Sequence, residues 1–147
     1  MDSFWQLCGI GDLVGVRAAI ARGQDINEAS GRGYGNFTGL MRAVADSNND
    51  IVKLLLEQPN VDLNCTTVNG QTALHEAAVN DNFQGVKQLL ADPRLNDANH
   101  KNNSGSSPAM RAMIYKKRNA LRELLSHPSV DLDTRDRKGK SLEERAG

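Results

Sequence analysis

Three histidines, two cysteines and a glycine triplet are the residues of this 147-residue sequence from which a reaction or a ligand site would have to be built. His100 and His127 fall in connections, and no set of cysteines and acids around them has the spacing of a metal site. Gly31, Gly33 and Gly35 alternate in the manner of a phosphate loop. They lack the lysine and hydroxyl residue that complete such a loop, and no strand-to-helix unit surrounds them. They are therefore read as a mobile hairpin tip, where positive φ is available. Two thiols, Cys8 and Cys65, are too few for a disulfide scaffold, and a reducing compartment follows as the default, cytoplasm first and nucleus second. Cys8 is expected to be a buried apolar group, aligned with Val44, Ala78 and Met113. Cys65 is expected in a hairpin, open to oxidation but not activated. Glu143 and Glu144 read as a solvated helix start. Nothing arranges Ser, His and Asp, or Cys and His, for nucleophilic catalysis. An enzyme is not expected, and neither is a cofactor, a metal or a small-molecule substrate.

Charge says little about the chain as a whole and more about its halves. Lys plus Arg and Asp plus Glu are 18 each, so the net charge is zero. Residues 71–147 carry 13 basic and 10 acidic side chains, and residues 1–70 carry 5 and 8. Lys116-Lys117-Arg118 is the sharpest cluster. It suits a solvated turn first, an acidic partner second and nucleic acid third. The apolar runs are far too short to span a bilayer, and Met1-Asp2-Ser3 does not start a secretory signal.

The elements that would position these residues emerge from internal repetition. Thr38, Thr72, Ser107 and Ser141 recur at intervals of 34, 35 and 34 residues. Each opens a unit as a helix N-cap, and Pro108 suits the first helical position, where its missing N–H is not needed. Leu74, Ala77 and Ala78 share a helical face, as do Val86, Leu89 and Leu90 on a second helix, with a turn at Asp81-Asn82. Pro59, Pro93 and Pro128 stop the second helices. Between units the phrase Asp25-Ile26-Asn27 returns as Val61-Asp62-Leu63-Asn64 and Val130-Asp131-Leu132-Asp133.

Thr72-Ala73-Leu74-His75-Glu76-Ala77 resembles the signature of the ankyrin repeat, T-P-L-H-x-A on a period near 33 residues. Ser107-Pro108 keeps the proline of that phrase, and Thr38-Gly39-Leu40 keeps its threonine and leucine. The resemblance implies an all-α ankyrin-repeat solenoid: stacked helix-turn-helix units joined by β-hairpin-like loops. The chain then forms one domain, with units near 2–33, 34–67, 68–102 and 103–136 and a partial cap over 137–147. His75 matches the family's structural histidine. Trp5 would cover the open end of the stack. The family's contacts lie on the exposed side of each first helix and on the hairpin tips. Carried over, these are Gln6, Gly9 and Ile10, then Arg42, Ala45 and Asp46, then Glu76, Val79 and Asn80, then Arg111, Ile114 and Tyr115. The tips add Arg32, Tyr34, Phe37, Asn69, Gln71, His100 and Lys101. Tyr34 and Tyr115 are the anchor candidates, because aromatic and Arg side chains dominate interface energetics. The implied function is a non-catalytic module that binds another protein, as adaptor or inhibitor. One segment of a longer array, and a nucleic-acid contact through the basic turn, stand behind it. A capped array would be monomeric, and a fragment would self-associate.

Overall fold

The computed structural model describes residues 2–131. The unit start at Ser141, Glu143-Glu144 and the partial cap over 137–147 lie outside the described residues. Among the described residues eight α-helices follow in pairs: α1 (Phe4–Ile10) with α2 (Leu13–Ala21), α3 (Gly39–Ala45) with α4 (Asn49–Leu56), α5 (Ala73–Val79) with α6 (Phe83–Ala91), and α7 (Pro108–Ile114) with α8 (Arg118–Leu125). Among the described residues the hairpin character of the connections is confined to one isolated antiparallel bridge, Ala29 to Thr38. The first helices pack on one another in the order α1, α3, α5, α7, and the second helices form a parallel outer row.

Local chemistry sets the helix starts. The hydroxyls of Thr38, Thr72 and Ser107 accept from the N–H groups of Met41, His75 and Met110. Each satisfies a donor that the first turn leaves open. Asp12 and Asn82 do the same for α2 and α6, accepting from Gly15 and Gly85 at 2.9 and 3.0 Å. The short turn inside each pair runs through a left-handed residue: Gly11, Ser47, Asp81 and Lys116, with φ of 82°, 57°, 55° and 57°. The helices are too short to hold themselves, so burial between units must supply the stability. Leu40, Leu74, Ala77, Val86, Leu89 and Leu124 are all buried. Leu90 departs from expectation, since it reaches the core only in part.

The first unit sits one residue out of the expected register. Ser3 precedes α1 with extended backbone, and Gln6 Oε1 accepts the Ser3 N–H at 2.7 Å. Gln6 is thus a helix-start residue, in step with Met41, His75 and Met110, and not a counterpart of Arg42. Cys8 aligns with the buried Ala43, Ala77 and Ala112, one position before the alignment expected from sequence. Phe4 takes the buried first position of α1, and Gly39 faces it across the stack. A Cβ on Gly39 would lie 2.8 Å from the Phe4 ring and 2.9 Å from Cys8 Sγ.

Hydrogen bonds tie the units at regular intervals. Asn27 donates to the Asn60 carbonyl and accepts from the Asp62 N–H, both at 2.8 Å. Asn64 repeats this with Arg94 and Asn96, and Asn99 with Ser129 and Asp131. Two of the repeated phrases seen in the sequence, those ending in Asn27 and Asn64, are this staple; Asn99 adds a third, and Asp133 of the last phrase lies outside the described residues. At the inner turns Asn48 donates to the Cys8 and Gly9 carbonyls, and Asn82 to the Val44 carbonyl. Arg94 adds a tie the sequence did not advertise. Its guanidinium donates to the Leu56 and Gln58 carbonyls at 2.6 and 2.7 Å, satisfying acceptors at and just beyond the end of α4, and pairs with Asp92 at 2.7 Å.

Candidate functional site

The exposed flank of α3, α5 and α7, with the connections that precede them, carries the contact residues expected from sequence. Arg32, Tyr34, Asp46, Asn69, Asn80, Lys101, Ile114 and Tyr115 are exposed; Phe37, Arg42, Gln71, Val79, His100 and Arg111 are half-buried. Glu76 differs from the open contact expected of it, being only 7% exposed. Its carboxylate accepts from Gln71 Nε2 at 3.1 Å, and Asn102 Nδ2 donates to Gln71 Oε1 at 3.1 Å. Burial pushes the Glu76 carboxyl above the usual carboxylate range, against the opposing pull of Gln71, Arg111 and Arg42.

Register explains why those charges meet. Arg42, Glu76 and Arg111 each lie four residues after their N-cap, so stacking sets them in a line of alternating sign. The residues four further on close the three helices: Asp46, Asn80 and Tyr115. In the second unit this places Arg42 against Asp46, Nη2 to Oδ2 at 3.1 Å. The same guanidinium lies 5.9 Å from the ring centroids of both Trp5 and Phe37. Trp5 in turn meets Tyr34 at 5.7 Å between centroids. Gly9 leaves room beneath, since a Cβ there would come within 3.1 Å of Arg42 Nε. In the fourth unit Arg111 lies 4.7 Å from the ring centroid of Tyr115.

Trp5 also differs from expectation. It does not cover the end of the stack; Phe4 takes the buried slot, and Trp5 is half-buried against Tyr34 and Arg42 on the inner face. The signal was present in Ser3 and Gln6, whose spacing starts the helix at Phe4.

The tip over Ser30–Phe37 is a closed turn, with a 3-10 segment at Arg32–Tyr34 between Gly31 and Gly35, both at positive φ. Ser30 holds it, its N–H donating to the Phe37 carbonyl at 2.7 Å and its Oγ accepting from the Phe37 N–H at 2.9 Å. The Val68 N–H donates to the Gly35 carbonyl at 3.0 Å and so anchors the tip to the next one.

His75 works in the scaffold. The Thr72 N–H donates to Nδ1 at 3.1 Å, which puts the ring proton on Nε2, and Nε2 donates to the Ser106 carbonyl at 2.9 Å. Burial drives its pKa down from 6.5 to about 4. The thiols are not activated. Burial raises Cys8 to about 12, and burial with a hydrogen bond to Asp62 raises Cys65 to about 11. No cluster of three His, Cys, Asp or Glu able to hold a metal occurs among the described residues. No helix among them is long and apolar enough to cross a membrane.

The family model described as ankyrin repeats (3 copies) matches residues 7–98 and, overlapping them, 40–136. The chain belongs to the ankyrin-repeat family. Such repeats are generally non-enzymatic modules for protein interaction. Over 75 residues this ankyrin array is 36% identical to BCL-6 corepressor-like protein 1 of Homo sapiens. The match covers 49% of this chain and 4% of that protein, so the chain spans only a small fraction of its relative.

Proposed function

We propose that this ankyrin-repeat chain is a non-catalytic module that binds another protein along its inner helix face and tips, as an adaptor or inhibitor in the cytoplasm or nucleus. The observation that carries the reading is the pair of open aromatics at the two ends of that face. Tyr34 is 71% exposed and Tyr115 is 47% exposed, each in a cluster that contains a stacked arginine. A ring held ready in this way loses little freedom on binding, and such residues dominate interface energetics. Arg32, Phe37, Asn69, Gln71, Val79, Asn80, His100 and Lys101 would surround the anchors as rim. Affinity capture from native lysate tests the reading. Tyr34→Ala and Tyr115→Ala should each weaken a captured partner by about 1–3 kcal/mol while leaving thermal unfolding unchanged. Full retention of partners by the double variant would move the site off this face.

A further inference from the structure

We propose that the α7 end of the inner face docks an acidic segment of the protein partner, with a carboxylate on the Arg111 guanidinium and apolar neighbours over Ile114 and Tyr115. This deepens the protein-binding reading and rests on it. The two arginines of the face stand at equivalent positions but are not in equivalent states. Four residues beyond Arg42 stands Asp46, which pairs with it at 3.1 Å and cancels its charge. Four residues beyond Arg111 stands Tyr115, which stacks on the guanidinium at 4.7 Å and leaves its charge intact. Among the described residues Arg111 makes no ion pair, whereas the Nε atoms of both arginines are buried with no hydrogen-bond partner, so the ion pair is what separates the two. The acid nearest in register is Glu76, which is buried, bonded to Gln71 and drawn on by both Arg111 and Arg42, so that it pairs with neither guanidinium outright.

A guanidinium fixed by a ring, with its terminal nitrogens unpaired, is arranged to take a carboxylate in a bidentate fashion. Lys101, on the connection leading into α7, and Lys116, just after it, extend the positive field, and both are exposed. Ile114 and Tyr115 are exposed beside Arg111 and offer apolar area to the neighbours of that carboxylate. A nucleic-acid backbone fits less well. It carries charge at every step, and Glu76 and Asp46 interrupt the positive line that it would have to follow.

The test is a titration of the full chain, labelled with nitrogen-15, with a short peptide alternating Glu and Leu. Matched peptides with Gln or Lys in place of Glu, and a short DNA duplex, run alongside. Amide shifts should gather over residues 111–117 with the acidic peptide, and affinity should fall as salt rises. Arg111→Gln should weaken binding about tenfold and Arg111→Lys less, whereas Arg42→Gln should change it less than about twofold. Thermal unfolding of each variant checks that the fold is intact. Equal affinity of Arg111→Gln, or tighter binding of the duplex at Arg111, overturns the proposal. Equal binding of the Gln peptide on the inner face also overturns it, while leaving the protein-binding reading standing. If none of the peptides shifts any residue of that face, the acidic docking is sunk. Retention of captured partners by the two tyrosine variants would separately sink the broader reading.

Discussion

His75 shows how one side chain links acidity to stability. In the native state its ring is neutral, with a pKa near 4, whereas in the unfolded chain it titrates near 6.5. Above pH 7 both states are neutral and His75 adds no pH dependence. As pH falls from 6.5 the unfolded chain takes up the proton first, so stability is lost at about 1.4 kcal/mol per pH unit until the native ring protonates near 4. The loss should total about 3 kcal/mol. Urea unfolding between pH 7 and 4.5 should show this slope, and His75→Gln should flatten it. Identical slopes for the two proteins would mean that the ring titrates normally. The role of His75 was legible through the resemblance of Thr72-Ala73-Leu74-His75 to the family's phrase, although its distant acceptor, the Ser106 carbonyl, was not. Arg94 was not legible, because its carbonyl partners Leu56 and Gln58 lie 38 and 36 residues earlier and backbone acceptors leave no mark in a sequence.

At the scale of elements, the tight turn within each helix pair imposes the same demand four times and is met four ways. Gly11 occupies the left-handed position freely, whereas Ser47, Asp81 and Lys116 hold it under strain. In Asp81 that strain is offset by a second contact, since its carboxylate accepts from the Ala120 N–H at 2.9 Å and so caps α8 from the preceding unit. Ser47→Gly should therefore stabilise the fold by about 0.5–1 kcal/mol, since relief of strain outweighs the freer unfolded chain. Asp81→Gly should gain nothing or lose stability, because the cap goes with the side chain. Equal gains in chemical denaturation would remove the capping role from Asp81. Helix existence and pairing were legible from hydroxyl caps and apolar spacing. The first unit slipped by one because it lacks the Thr-x-Leu phrase, and its cap Ser3 is distinguished only by Gln6 three residues later.

Over the whole molecule the ties are uneven. Asn48 and Asn82 each cross to the preceding inner helix, but Lys117 stands at the third such position and does not reach back. In a stacked array the stability of a unit depends on its neighbour interfaces, so unless the Asp81 bonds to α8 make up for the missing tie, the α7–α8 pair is expected to open more readily than α5–α6. Hydrogen exchange should open α8 before α6. Lys117→Asn, by supplying a donor to the Ala78 carbonyl, should slow α8 exchange and add about 1 kcal/mol. Unchanged protection would show that the Asp81 cap already makes up the difference. The outline of the inner face was legible because equivalent positions could be counted. Its polarity was not, since it depends on which side chain stacks on which arginine, and the burial of Glu76 follows from a network through Gln71 and Asn102. Finally, the fit of Phe4 into the space left by Gly39 makes the first two units a matched pair. Shuffling the third unit into second place would set Ala73 under that ring, so although the units look alike they are not interchangeable, and a duplication that preserved packing would have to copy the leading two together.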